Sequence, residues 1–266
     1  FGLGFAIGPA IGGFLGQISF RLPFFVAAGC VAANWLYGAL LLPESLPVEH
    51  RRSFSWARAN PAGSILTLRQ FRGVFDMGIM YLFYMLAQTL LQSVWVLYMG
   101  SEFGWSTLEV GLSLGFVGVA TAVVQGGFVK RIIAATGERK GLILGLAISA
   151  AAFIGYGIAP KGWMVYGIIL IGCWGGIAGP AAQSIITRHV PANEQGGVQG
   201  ALSGLSSFAY ILGPLIGAWS FGECVGPGAV IQLHGVAFYE AALLLVVAGG
   251  LALRSFRLDD RLAAAH

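Results

Sequence analysis

Residues 73–99 read GVFDMGIMYLFYMLAQTLLQSVWVLYM, and the only charged side chain in that stretch is Asp76, near its start. Crossing the hydrocarbon core of a bilayer takes about 20 apolar residues in a helix. A membrane strand would be only about 10 residues of alternating character, and in lipid the backbone must satisfy its own hydrogen bonds. The stretch therefore predicts a transmembrane helix. Working outward, runs of the same kind occupy 1–16, 23–43, 107–129, 141–159, 163–187, 198–221 and 236–253, which makes eight spans with the first one shortened. Composition agrees. The chain is 57% hydrophobic and 10% charged, whereas a soluble domain carries about a quarter charged residues. Its 41 glycines interrupt runs of Leu, Ile, Val, Phe and Ala, where small residues let membrane helices approach closely. An all-α membrane protein follows.

Lys and Arg set the sidedness. With the start of the chain on the cytoplasmic side, Arg51, Arg52, Arg58, Arg69, Arg72, Lys130, Arg131, Arg139, Lys140, Arg188, Arg254, Arg257 and Arg261 all fall inside, and of the 15 basic residues only Arg21 and Lys161 fall outside. That bias matches the positive-inside rule. The net charge of +4 is thus a matter of topology, and no basic face for nucleic acid is expected. Cys30 and Cys173 lie in apolar runs and Cys224 stands alone in a connection, so neither a disulfide framework nor a metal-ligand spacing is formed.

Residues 44–72 are unlike the other connections. They are long, polar and basic, and Pro43, Pro47 and Pro61 lie at their edge or within them. Read as a cytoplasmic linker, they divide the chain into 1–43, the end of an amino-terminal helical half, and 73–266, a complete six-helix carboxyl half. Phe1 opens inside an apolar glycine-rich run with no initiator Met and no signal-peptide pattern, which is expected of a piece of a longer protein. The first span carries Gly4, Gly8, Pro9, Gly12 and Gly13, and the seventh carries Gly213, Pro214 and Gly217. Spans one and seven are six apart, as in a duplicated six-helix unit. Proline removes a backbone bond and bends the helix, while the glycines admit a neighbour to backbone contact.

Taken together, these motifs resemble the tetracycline-type drug antiporters of the major facilitator superfamily. The likeness rests on Gly8-Pro9-Ala10-Ile11-Gly12-Gly13, Leu42-Pro43-Glu44-Ser45, Gly137-Glu138-Arg139-Lys140, Gly179-Pro180-Ala181-Ala182-Gln183, Gln195-Gly196-Gly197-Val198-Gln199-Gly200 and Gly213-Pro214-Leu215, in that order. The resemblance implies a twelve-helix fold that this chain enters at the fifth helix, and a basic gating loop at Gly137, Glu138, Arg139 and Lys140. It also implies a membrane-embedded Asp in the ninth helix and a His in the eighth. Ser149 and Thr121 stand at those positions, while Gln125 keeps the family's pattern.

Polar residues inside spans mark cavities, because each is costly in lipid. Tyr81, Tyr84, Gln88, Gln92 and Trp95 recur at three- and four-residue spacing and form one polar and aromatic stripe. Thr121 with Gln125, Gln183 with Thr187, and Ser203 with Ser207 and Tyr210 form shorter ones. The substrate-facing residues are expected to be Tyr84, Gln88, Gln92, Trp95, Thr121, Gln125, Gln183, Ser207 and Tyr210. Interhelical hydrogen bonding alone is the competing explanation for each pair. Asp76 and Glu240, near opposite interfaces, are the carboxylates available for proton coupling. Ser106-x-x-Glu109 reads as a capping box.

No nucleophile and base pair, phosphate loop or metal cluster is present, so neither enzymatic chemistry nor a cofactor is expected. The function expected is secondary active transport in a bacterial inner membrane, with proton-coupled efflux of a small amphipathic, tetracycline-like compound by a monomer. The partners are the small-molecule substrate, protons and the lipid bilayer. The alternatives are a metabolite uniporter or symporter of the same superfamily, and a channel or scaffold. An isolated fragment that transports nothing is a further one. A channel would show a filter loop or a ring of charge, and neither occurs.

Overall fold

The computed structural model describes residues 4, 7, 8, 11, 12, 15, 16, 18, 19, 21–43, 68, 69, 73–191, 194–225 and 233–264. Pro9, Gly13 and nearly all of 44–72 lie outside the described residues. Helices dominate and no strand occurs among the described residues. They are α1 (Leu22–Leu41), α2 (Val74–Phe103), α3 (Thr107–Gly127), α4 (Val129–Thr136), α5 (Glu138–Ile158), α6 (Gly162–Gly172), α7 (Ala178–Arg188), α8 (Gln195–Val225) and α9 (Val236–Ala264), with a 3₁₀ turn at Cys173–Ile177 between α6 and α7. Seven spans among these are long and apolar enough to cross a membrane, counting Gly162–Arg188 as one. They fall on seven of the eight expected runs. Of the other, 1–16, residues 4, 7, 8, 11, 12, 15 and 16 are described, all as helical.

Helix limits follow local chemistry. Ser106 caps α3 in a capping box. Its hydroxyl accepts the Glu109 N–H at 3.3 Å, and Glu109 Oε2 accepts the Ser106 N–H at 2.7 Å. Gly104 ends α2 with φ +65°, a value that favours glycine, and the Gly104 and Trp105 N–H groups donate to Gly100 and Met99 carbonyls. Pro23 occupies the first turn of α1, where its missing donor is not needed.

Helix α2 is the hub. It packs on α8 and α9, α9 packs on α5, α5 packs on the α6–turn–α7 segment, and α3 packs on α6 and the turn. At the α2–α8 crossing, Gly213 is required: a Cβ there would lie 2.2 Å from Thr89 Oγ1 and 3.0 Å from the Leu90 nitrogen. Thr89, buried in the crossing, donates to the Ala209 carbonyl at 3.0 Å. Near the carboxyl end of α2, Tyr98 donates to the Tyr156 carbonyl at 2.9 Å and meets Phe238 edge-on at 4.6 Å, which ties α2, α5 and α9 together. Edge-to-face pairs add about 0.5–1.5 kcal/mol beyond their burial. Helix α1 has no buried residue.

Candidate substrate-facing site

The break in the sixth span organises the polar residues around it. A 3₁₀ stretch in mid-helix winds more tightly than its flanks and often marks a hinge. Here it carries Gly175 and Gly176, with Gly179 one turn on. The absence of side chains at those positions lets neighbours come in. A Cβ on Gly175 would stand 2.1 Å from Ser149 Oγ, one on Gly176 3.1 Å from Gln125 Nε2, and one on Gly179 3.3 Å from Tyr84 Oη. Gln183, at the next turn, donates through Nε2 to Tyr81 Oη at 3.3 Å. Tyr81 and Tyr84 stand with ring centroids 6.2 Å apart. Thr121 Oγ1 lies 3.6 Å from Cys173 Sγ.

Six polar groups from three helical segments thus form one seam: Tyr81 and Tyr84 of α2, Thr121 and Gln125 of α3, Cys173 of the turn and Gln183 of α7. Tyr84, Thr121, Gln125 and Gln183 are half-buried. Its chemistry is neutral hydrogen bonding beside aromatic surface. Cys173, Gly176 and Gly179 escaped the expectation because an apolar run gives no sign of where a helix tightens. The paired glycines at 175 and 176 were the available signal.

Other expected members are placed elsewhere. Trp95 is buried, donates from Nε1 to buried Ser113 Oγ at 3.1 Å, and meets Tyr156 edge-on at 5.1 Å. An indole taken out of water needs a partner for its N–H, and α3 supplies one away from the seam. Gln88 is half-buried and Gln92 exposed on α2. On α8, Ser207 and Tyr210 are exposed, and Ser207 donates to its own helix at the Ser203 carbonyl. Thr187 likewise donates to the Gln183 carbonyl. Ser149 is buried between α5 and the 3₁₀ turn.

Of the two carboxylates, Asp76 is half-buried in the first turn of α2. Glu240 has its Oε2 buried without a hydrogen-bond partner among the described residues. The motif glycines separate into two groups. A Cβ on Gly4, Gly8 or Gly12 would meet nothing within 4 Å among the described residues, whereas Gly213 and Gly217 lie against Thr89 and Ser93 of α2. Pro214 is inside α8 and next to that contact.

The basic loop holds two helices. Gly137, at φ +80°, breaks the chain between α4 and α5. Glu138 accepts from Ser184 Oγ at 2.6 Å and pairs with Arg188 at 2.9 Å, both on α7. Arg139 pairs with Asp259 and Asp260 of α9, and its guanidinium lies over the Phe256 ring at 4.9 Å. Lys140 is exposed. These partly exposed pairs are worth about 0–1 kcal/mol each.

The family model of the Major Facilitator Superfamily matches residues 1–214 and 77–265. The chain belongs to the Major Facilitator Superfamily. It is 35% identical over 220 residues to the class C tetracycline resistance protein of Escherichia coli, an alignment covering 81% of this chain and 54% of that protein. The class G protein of Vibrio anguillarum is 33% identical, with 81% and 54% covered. The class B protein of Escherichia coli is 31% identical over 250 residues, with 92% and 61% covered. The chain thus spans a little over half to three fifths of the length of these relatives. Among solved structures, the human organic anion transporter MFSD10 (TETRAN) superposes with a TM-score of 0.76 at 22% identity, covering 94% of this chain and 62% of that one. That superposition carries the fold alone. The resemblance read from the motifs holds, and the chain is a multi-pass membrane protein of all-α major facilitator fold.

Proposed function

We propose that this chain is the larger part of a secondary active transporter that exports a small amphipathic, tetracycline-like compound in exchange for protons. The observation that carries the reading is the seam around the broken span, where Tyr81, Tyr84, Gln125 and Gln183 converge from three segments. Relatedness to tetracycline resistance proteins supports the compound class. An unpaired ion entering such a site would lose hydration without a counter-charge, while a flat, neutral or zwitterionic solute gains ring contact and hydrogen bonds.

In this reading residues 1–43 end one half, 44–72 link the halves on the cytoplasmic side, and 73–266 form the other half. Gln88, Gln92, Ser207 and Tyr210 face the space between the halves, and rocking of the halves exposes the seam to each side in turn. The Glu138 and Arg139 contacts latch the cytoplasmic end and open with each cycle. With Ser149 and Thr121 where the family's titrating groups would stand, proton coupling falls to Asp76, to Glu240 or to the other half.

The test is drug accumulation in cells expressing the complete protein, with and without an uncoupler. Low accumulation that the uncoupler abolishes supports the proposal. Accumulation equal to that of control cells under both conditions refutes it.

A further inference from the structure

Helix α9 carries a feature that lies outside the seam. Leu243, Val246, Val247, Gly250, Leu253, Arg254, Arg257, Leu258 and Arg261 follow one another at three- and four-residue steps, so they lie on one face of α9. The opposite face, with Ala241, Leu245, Ala248, Ala252 and Ser255, is buried against the bundle. The outward face is apolar from Leu243 to Leu253 and then becomes cationic. Arg254, Arg257 and Arg261 lie beside Gly250, Leu253 and Leu258 on one open surface of this helix. Gly250, which has no side chain, sits one turn before Arg254.

The neighbouring acids leave a surplus of positive charge at the three arginines. Asp259 and Asp260 are engaged by Arg139, and none of the three arginines has an ion-pair partner among the described residues. At 1.5 Å per residue, the apolar stretch is about 15 Å long and the arginines extend about 10 Å beyond it. Half the hydrocarbon core is about 15 Å deep, with the headgroup layer outside it. The face therefore matches one acyl chain topped by an anionic headgroup, on the leaflet that the positive-inside rule makes cytoplasmic.

We propose that this face of α9 is a binding site for an anionic phospholipid, with its acyl chain along Leu243–Leu253 and its phosphate held by Arg254, Arg257 and Arg261. Charge complementarity names the occupant. A soluble phosphate would use the arginines but not the apolar stretch below them. A zwitterionic lipid would fit the stretch, but its ammonium would meet three cations.

Native mass spectrometry of the detergent-purified complete protein tests this, titrating phosphatidylglycerol and phosphatidylethanolamine of identical chains, with glycerol 3-phosphate as the tail-less competitor. Wild type is expected to bind phosphatidylglycerol at least tenfold tighter than phosphatidylethanolamine, and glycerol 3-phosphate in hundredfold excess is expected not to displace it. The triple variant Arg254→Gln, Arg257→Gln, Arg261→Gln should lose that preference. Each arginine near an anionic headgroup is worth about fivefold, equivalent to about 1 kcal/mol. The triple Arg→Lys variant should keep most of the preference, which separates lost charge from lost fold. An unchanged preference in the Gln variant, or displacement by glycerol 3-phosphate, overturns the proposal.

Discussion

Replacing Gly213 by Ala is the sharpest test of how the bundle is held together. The added methyl would lie 2.2 Å from Thr89 Oγ1, 2.8 Å from Thr89 Cβ and 3.0 Å from the Leu90 nitrogen. Ordinary contact begins near 3.4 Å, so α2 and α8 must separate by about 1 Å or Thr89 must leave its rotamer. Thr89 cannot turn freely, because its hydroxyl bonds both the Leu86 and the Ala209 carbonyls at 3.0 Å. Overpacking costs about 1–3 kcal/mol, and a hydrogen bond between membrane helices is worth about 0.6 kcal/mol. Opposing these, alanine is about 1 kcal/mol better than glycine inside a helix. A net loss of about 0.5–2.5 kcal/mol results. Gly204 on the same helix has nothing within 4 Å of a Cβ, so Gly204→Ala should be neutral or slightly stabilising. Thermal unfolding of the two purified variants in detergent gives the comparison. Equal midpoints would refute the close α2–α8 contact.

Three further outcomes are expected. Trp95→Phe should leave the half-saturation of transport unchanged while lowering the unfolding midpoint slightly, because the indole bonds Ser113 for about 0.6 kcal/mol; a raised half-saturation would return Trp95 to the site. Arg139→Ala, which frees Asp259 and Asp260, should raise cytoplasmic labelling of a cysteine placed at Thr121 about two- to fivefold, from the loss of pairs worth up to about 1 kcal/mol; unchanged labelling would remove the loop from gating. Glu240→Gln should flatten the pH dependence of transport while Asp76→Asn leaves it in place, since only Glu240 holds a buried carboxyl oxygen without a partner among the described residues; a preserved profile in Glu240→Gln would pass coupling to Asp76 or to the other half.

Span positions were legible because twenty apolar residues in a row have few other uses, and the Ser106–Glu109 box is set by residues three apart. The 3₁₀ turn was not, since Cys173–Ile177 are as apolar as their flanks and hydropathy is blind to a change in hydrogen-bond step. The stripe on α2 was half legible. Periodicity puts Tyr81, Tyr84, Gln88, Gln92 and Trp95 on related faces, but the partner of each depends on which helix crosses at that height: Gln183 for Tyr81, Ser113 for Trp95. Arg139 was singled out as a gate residue without its partners, because Asp259 and Asp260 lie at the far end of the chain and only the packing of α9 on α5 brings them near.

Proton-driven uptake of labelled tetracycline by inside-out vesicles containing the complete protein tests the central claim most directly, with Gln125→Leu, Gln183→Leu and Trp95→Phe compared under an imposed pH gradient. Uptake that collapses with the gradient is expected, with half-saturation raised about fivefold in each Gln variant, the equivalent of one hydrogen bond of about 1 kcal/mol, and unchanged in Trp95→Phe. Gradient-dependent uptake with the same half-saturation in all four proteins would contradict the seam as the substrate site, and no uptake in wild type would contradict drug export itself.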